Sequence, residues 1–135
     1  MASTRTLWAC LTICSTAVLA LPAHAAQRVR AGQWQVSMEI AGRTLVRPMC
    51  LTQADADAIN GDAASIKAYS EPHNAKAGCK VLDVKIDGQQ VTVRSVCANG
   101  KENVGTTTYH GDRYETTHSG GVKSQGKWLG ACAPQ

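Results

Sequence analysis

The sequence contains no phenylalanine, and its aromatic residues are three tryptophans and three tyrosines. Aromatic side chains supply much of the apolar area that folded proteins bury, so the core of this chain must be thin. Trp8 lies in a segment that we expect to be removed on export, which leaves still fewer. Covalent cross-links are therefore expected to support the folded domain.

Runs of like charge are also lacking. Lys and Arg number 14 against 10 Asp and Glu, a formal net charge of +4. The basic residues are scattered along the chain and do not alternate with aromatic residues, as they do on many nucleic-acid-binding surfaces. We therefore expect no nucleic-acid partner.

Long apolar runs are scarce, and the main one lies at residues 7–21. It is shorter than the roughly 20 residues that a membrane-spanning helix needs, so no membrane span is expected. Arg5 precedes it and Ala23-His24-Ala25 follows it. A basic start, a short apolar core and a small-x-small exit are typical of a secretory signal peptide. The sequence predicts a leader over residues 1–25, cleavage after Ala25, and a secreted protein of the periplasm.

A lipid anchor is the alternative reading of this leader, because Cys10 and Cys14 both follow apolar residues. Cys10 comes too early in the apolar run, and bulky Ile13 stands where a lipidation site has a small residue. We therefore expect both cysteines to leave with the leader. Residues 26–135 then form a single β-rich domain, which we expect to be a monomer.

Alternation with a period of two dominates this domain. In the first strand, Trp34, Val36, Met38 and Ile40 alternate with polar residues, which indicates one buried face. Turn signals follow at Ala41-Gly42, Asp87-Gly88 and Gly111-Asp112. The pattern predicts an antiparallel meander of about six to seven strands, as a curved sheet or a small open barrel. The strands are expected at residues 33–40, 45–51, 82–86, 91–96, 104–109, 114–119 and 123–129.

One helical excursion interrupts the meander, over residues 53–69 between the second and third strands. Thr52 and Asp55 resemble a capping box. Asn60-Gly61 is expected to end a first short helix, and Asp62 can cap a second one. Residues 71–74, which include Pro72, are predicted to be loop.

Four cysteines remain after the leader: Cys50, Cys79, Cys97 and Cys132. They contain no C-x-x-C pair, which argues against a zinc or thioredoxin-like site. An even number in an exported domain predicts two disulfides.

The pairing can be argued from strand parity. If Leu82, Val84 and Ile86 share the buried face, Cys97 lies on that face and Cys79 on the other. If side chains alternate from a buried Trp34 through the Ala41-Gly42 turn, Cys50 points away from the buried face. If they alternate from a buried Trp128, Cys132 points toward the buried face. Matched parity therefore predicts Cys50–Cys79 and Cys97–Cys132.

Residues with catalytic potential are few. The sequence has no G-x-S-x-G elbow and no H-E-x-x-H motif. His110 and Asp112 flank Gly111 in a turn, where Gly and Asp are wanted for the backbone alone. We therefore assign no catalytic residue, no metal site and no cofactor, and regard an enzyme as the less favoured class. His73 and His118 complete the histidines of the domain.

Threonine is abundant in the last strands. Threonine side chains are β-branched and favour strands, but they carry a hydroxyl group where valine has a methyl group. The plain interpretation is a solvated sheet face, and the functional one is a polar surface that binds a ligand. For the functional reading, the predicted binding residues are Thr106, Thr108, Thr116 and His118.

Several short motifs together resemble a known family. They are Gly32-Gln33-Trp34, Cys50-Leu51-Thr52, Cys79-Lys80-Val81, Cys97, the segment 109–114 (YHGDRY) and the segment 126–132 (GKWLGAC). In this order and spacing they resemble the bacterial domain of unknown function 3617, a family of small exported proteins. The resemblance implies an exported β-rich domain with structural cysteines and supplies no catalytic residues.

Three classes of function are compatible with these features. The favoured hypothesis is a non-enzymatic periplasmic protein that binds a small or lipid-like ligand on a curved β-sheet. The alternative is a periplasmic protein-interaction module, such as an inhibitor or an accessory subunit. An enzyme is the third. A deep pocket with converging polar groups favours the first class, and an exposed apolar patch the second.

Overall fold

The computed structural model describes residues 27–133, which form one antiparallel sheet of seven strands and two helices. This confirms the predicted mainly β fold with helices between the second and third strands. The predicted leader, its cleavage site and its two cysteines lie outside the described residues. The elements are β1 (Gly32–Ile40), β2 (Arg43–Leu51), α1 (Gln53–Asn60), α2 (Ala63–Lys76), β3 (Cys79–Asp87), β4 (Gln90–Cys97), β5 (Glu102–Tyr109), β6 (Arg113–His118) and β7 (Lys123–Gly130).

The strand order in the sheet is β2-β1-β7-β6-β5-β4-β3. Strands β3 to β7 follow one another as a meander, but β1 pairs with β7, so the first hairpin extends the end of the meander. The edge strands β2 and β3 do not pair with each other, which makes the sheet open. Both helices lie between these two strands in sequence, so the chain must return from one edge of the sheet to the other. None of the helices within residues 27–133 is long and apolar enough to cross a membrane.

The helices cover one face of the sheet, here called the inner face. Trp34 and Val36 of β1 are 0% and 5% exposed, and they form one apolar cluster with Ala56 and Ile59 of α1 and with Leu51. The buried indole of Trp34 donates its Nε1–H to the Arg30 carbonyl at 3.0 Å, which satisfies its one polar group.

The helix starts follow the predicted caps. Thr52 and Asp55 form a complete capping box at the start of α1, and the Asp62 side chain accepts from the Ser65 N–H at the start of α2. The end of the helical region differs from the prediction, because α2 continues through Pro72 to Lys76. The loop expected at residues 71–74 is therefore helix.

Side chains next to Pro72 add hydrogen bonds to this part of the helix. Proline cannot donate a backbone hydrogen bond within a helix. His73 Nδ1 lies 3.0 Å from the Tyr69 carbonyl oxygen, and Asn74 Nδ2 donates to the Ser70 carbonyl at 2.9 Å. Each contact spans one helical turn across the proline. The bond that Pro72 removes is the one to the Ala68 carbonyl, so these contacts reinforce the turn without replacing that bond.

The chain forms two disulfides, Cys79–Cys97 and Cys50–Cys132. The predicted pairing of Cys50 with Cys79 and of Cys97 with Cys132 is wrong. For Cys79 the reason is a shift in the β3–β4 register between Val81 and Asp83. This bulge leaves Leu82 exposed, buries Val81, and brings Cys79 opposite Cys97. Because the prediction placed Leu82 on the buried face of β3, it assigned Cys79 to the wrong face of the strand.

A second register shift changes the parity of Cys132. In the β1–β7 ladder, Trp34 pairs with Trp128, but the next residue back, Gln33, pairs with Gly130. Leu129 is the additional residue and is 56% exposed. Because β1 lies between β2 and β7, this shift places Cys132 within reach of Cys50 at the same end of the sheet.

One turn also begins one residue later than predicted. Asp87 pairs with Gln90, so the two loop residues of the β3–β4 hairpin are Gly88 and Gln89. Gly88 has a φ of 56°, a left-handed conformation that glycine adopts without strain.

The segment before β1 is held by the end of α1. The Asn60 Oδ1 accepts from the backbone N–H groups of Arg28 and Val29 at 2.6 and 3.0 Å, and its Nδ2 donates to the Val29 carbonyl at 2.9 Å. The Arg28 guanidinium donates to the Ile59 and Gly61 carbonyls. A cation is favourable there because the carbonyl end of a helix carries partial negative charge. These contacts fix Val29 against the inner face.

Candidate functional site

The inner face is not fully filled where α2 crosses the later strands. A cavity of about 350 Å³ opens there, lined by apolar residues of the core and by three tyrosines, Tyr69, Tyr109 and Tyr114. We call this cavity the aromatic end, because it forms one end of a longer groove described below. Ligand pockets in proteins are commonly of this size and of this mostly apolar character.

A second cavity of about 180 Å³ adjoins the first and has a different lining. Ser70, Asn74, Ser95 and Asn103 contribute hydroxyl and amide groups to it. We call this the polar end of the groove. Three residues line both cavities: Thr107, Thr116 and His118. The two cavities therefore form one groove whose lining changes from aromatic to polar along its length.

One face of α2 forms the roof of the groove. Tyr69 and His73 line the aromatic end, and Ser70 and Asn74 line the polar end. Each pair is spaced by four residues, which places its members on one side of a helix. The Tyr69 and His73 rings lie 5.0 Å apart between centroids. All four residues lie in the last two turns of α2, so the helix must continue past Pro72 for this roof to exist.

Tyrosines of the sheet form the floor of the aromatic end. Tyr109 and Tyr114 pair across the β5–β6 ladder, with ring centroids 6.1 Å apart, and Tyr114 lies 5.6 Å from the Trp34 ring. Gly126 makes room for Tyr114, since a Cβ at this position would collide with the phenol ring. Burial raises the pKa of Tyr109 to about 12, and burial also raises the pKa of Tyr114. Both phenols are thus neutral hydrogen-bonding groups at ordinary pH.

His118 lies where the two ends of the groove meet. It is opposite Gly105 in the β5–β6 ladder, and its ring occupies the space above that glycine. Burial lowers the pKa of His118 from its ordinary value, because the low-dielectric surroundings disfavour the charged imidazolium. The imidazole is therefore neutral at pH 7 and can donate from one nitrogen and accept at the other.

A pair of threonine hydroxyls completes the middle of the groove. Thr107 Oγ1 and Thr116 Oγ1 lie 2.8 Å apart across the β5–β6 ladder. Both hydroxyls face the inner side of the sheet, and each has remaining capacity for a hydrogen bond to a bound molecule.

The structure brings together two of the four predicted binding residues. Thr116 and His118 line both cavities. Thr106 and Thr108 lie on the opposite face, because the ladder pairs Thr107 with Thr116 and side chains alternate along β5. Thr106 contacts Thr92 there, with 3.3 Å between their hydroxyl oxygens. The expectation that the four residues share one surface is therefore wrong.

The groove residues that lie on α2 were not predicted from the sequence. His73 and Asn74 were expected in a loop, and Tyr69 at the end of the helical region. The i, i+4 spacing of Tyr69 with His73, and of Ser70 with Asn74, was the available signal. Thr107 was also missed, although the register that pairs Tyr109 with Tyr114 also places Thr107 opposite Thr116.

Formal charge is close to the groove but is not part of its described lining: Arg28 and Arg47 act electrostatically on Tyr109 and Tyr114, and Asp55 acts on Tyr69. Among the residues that the structure describes, no Asp, Glu, Lys or Arg lines either cavity. Within residues 27–133 there is also no cluster of three or more His, Cys, Asp or Glu side chains that could hold a metal ion.

A depression of about 260 Å³ on the opposite face provides a contrast. Its walls include Arg113, Glu115, Gln125 and Lys127, all exposed. Long, solvated side chains of this kind are mobile, and they make the depression an ordinary polar sheet surface. The groove under α2 is therefore the better candidate site.

These features define a class: small disulfide-bonded domains in which an open antiparallel sheet carries a helix-roofed groove. Over residues 29–132 the chain matches the family model described as protein of unknown function (DUF3617), and it belongs to that family. The resemblance inferred from its motifs is thus confirmed. No curated protein and no solved structure matches the chain.

Proposed function

We propose that this protein is exported to the periplasm, is cleaved after Ala25, and binds a small or lipid-like ligand without chemical conversion. The groove between α2 and the inner face carries the proposal. It combines an apolar floor with a few convergent hydroxyl, amide and imidazole groups, as binding pockets do. The two disulfides support an oxidising compartment.

The lining also offers groups that are suited to binding. Both buried phenols have raised pKa values and the central imidazole has a lowered one. These neutral groups can orient a ligand by hydrogen bonds. All four cysteines of the domain are in disulfides, so no thiol among them is free to act as a nucleophile.

Adjacent threonines on β6 provide the test. Thr116→Phe places a ring in the middle of the groove, whereas Thr117→Phe places the same ring on the opposite face. The probe is the neutral dye N-phenyl-1-naphthylamine, whose fluorescence rises in apolar sites. We expect the parent and Thr117→Phe proteins to bind the dye and Thr116→Phe to lose binding while keeping its circular dichroism spectrum. Equal dye binding by all three proteins would rule out the groove as the site.

The exposed β1–β2 hairpin favours a second candidate, the protein-interaction module. Ile40, Leu45 and Val46 are 41%, 60% and 56% exposed near its tip. Exposed apolar side chains in one region often mark a contact surface. A photo-crosslinking residue at position 45 should then yield one defined protein adduct in the producing cells, and a residue at position 101 should not. Absence of an adduct specific to position 45 would contradict this candidate.

A further inference from the structure

We propose that the ligand of the groove is an uncharged amphiphile, with an apolar portion at the aromatic end and a hydroxyl- or amide-bearing head at the polar end. This inference rests on the proposed function and adds the chemical class of the ligand. It follows from the change in lining along the groove and from the lack of charged residues among the described residues that line it.

The aromatic end favours the apolar portion of the ligand. Val29, Leu51 and Ile59 are nearly completely buried, and they line this cavity together with the tyrosines. Burying apolar ligand area against these groups is favourable in proportion to the area removed from water. A polar head would gain no such area term, so we place it at the other end, beside the Asn74 and Asn103 amides.

The polar end can satisfy a head group that both donates and accepts. Asn74 Nδ2 donates one hydrogen to the Ser70 carbonyl, and the amide keeps a second N–H donor and its oxygen acceptor. Asn103 Oδ1 lies 3.4 Å from the Ser119 hydroxyl, which leaves its amide nitrogen. Together the two amides thus offer both donors and acceptors. A polyol or amide head matches this mixture, whereas a carboxylate accepts only and a quaternary ammonium does neither.

The residues in the middle of the groove also favour an uncharged head group. His118 is neutral because burial lowers its pKa, and Thr107 and Thr116 are uncharged. A charged head would therefore be desolvated without an opposite charge in the described walls, which is strongly unfavourable.

The experiment compares three ligands with the same eight-carbon tail: octyl β-glucoside, octanoate and octyltrimethylammonium. Binding is measured at pH 7.5 by displacement of N-phenyl-1-naphthylamine, with each compound below its critical micelle concentration. We expect octyl β-glucoside to bind about tenfold or more tightly than either ion.

Two adjacent residues on β5 give the matched variants. Thr107→Val removes a hydroxyl from the groove, and Thr106→Val removes the corresponding hydroxyl from the opposite face. Asn103→Leu removes an amide at the polar end. We expect Thr107→Val and Asn103→Leu each to weaken glucoside binding about threefold to tenfold, with little change for the dye. Thr106→Val should leave both affinities unchanged.

The outcomes separate this inference from the proposed function. Equal or tighter binding of either ion, still blocked by Thr116→Phe, would overturn the uncharged class and leave the groove as a binding site. Binding of neither the dye nor any of the three ligands would overturn both. Equal glucoside affinity in the Thr107→Val, Asn103→Leu and parent proteins would overturn the placement of the head group.

Discussion

His118 lies across the β5–β6 ladder from Gly105, and a Cβ at position 105 would lie 3.1 Å from both Cε1 and Nδ1 of the imidazole. The absence of a side chain on β5 thus sets the position of the ring on β6. Because this ring lies where the two ends of the groove meet, Gly105 shapes the candidate site without offering a functional group.

Gly105→Ala is therefore expected to displace His118 into the groove. The overpacking should lower the free energy of unfolding by about 1 kcal/mol and weaken dye binding severalfold. Urea unfolding and dye titration measure the two effects. Gly120→Ala is the control, since Gly120 has open space around it. If both alanine variants bind the dye as the parent does, the geometric role of Gly105 is wrong.

Stability should fall on acidification through His118. Burial lowers its pKa in the folded state, so below about pH 6.5 the unfolded chain binds the proton more readily and stability declines. Above that pH the contribution is constant. We expect the Tm of the parent to fall between pH 7.5 and pH 5 by more than that of His118→Gln. His110→Gln, in the exposed β5–β6 turn, should follow the parent. Parallel curves for the parent and His118→Gln would contradict this assignment.

The two disulfides should contribute unequally. Cys50 and Cys132 are separated by 82 residues, and Cys79 and Cys97 by 18. In the chain-entropy description, bridges closing such loops stabilise by about 4.5 and 3 kcal/mol respectively. Replacing Cys50 and Cys132 by alanine should therefore lower the urea midpoint more than replacing Cys79 and Cys97. The reverse order would show that strain or unfolded-state structure outweighs loop length.

Asn60 should be important for both stability and binding. Its amide makes three hydrogen bonds to the backbone of Arg28 and Val29. Asn60→Leu leaves those backbone groups without partners and should cost on the order of 2–3 kcal/mol. Because Val29 lines the aromatic end, dye affinity should fall as well. Asn99→Ala removes one exposed hydrogen bond and should cost roughly 0.5 kcal/mol. Similar unfolding free energies for the two variants would argue against this anchoring role.

Local sequence was sufficient to predict most elements of the fold. Alternation of apolar residues indicated about six to seven strands, of which the structure has seven, and the caps at Thr52 and Asp62 located both helix starts. These signals depend on contacts within a few residues, so they can be read without the tertiary structure. The continuation of α2 past Pro72 was not predicted, because proline usually ends a helix, although the i, i+4 contacts of His73 and Asn74 are themselves local.

For the candidate site, the sequence identified the polar strands but not the surface that they form. It placed Thr116 and His118 among the binding residues and also included Thr106 and Thr108, which the ladder puts on the opposite face. The alternation of residues along a polar strand defines two faces but does not indicate which face is covered. Only packing against α2 determines which of them forms the groove.

By itself, the sequence determined the mainly β class, the helix starts and the use of four cysteines in disulfides. The tertiary structure decided which cysteines pair, because single-residue bulges at Leu82 and Leu129 reverse the parity of everything beyond them. It also decided that β1 joins β7, which brings Cys132 to Cys50. The physical reason is that bulges and strand order are set by the sum of long-range contacts across the sheet, whereas periodicity and caps are set by neighbouring residues.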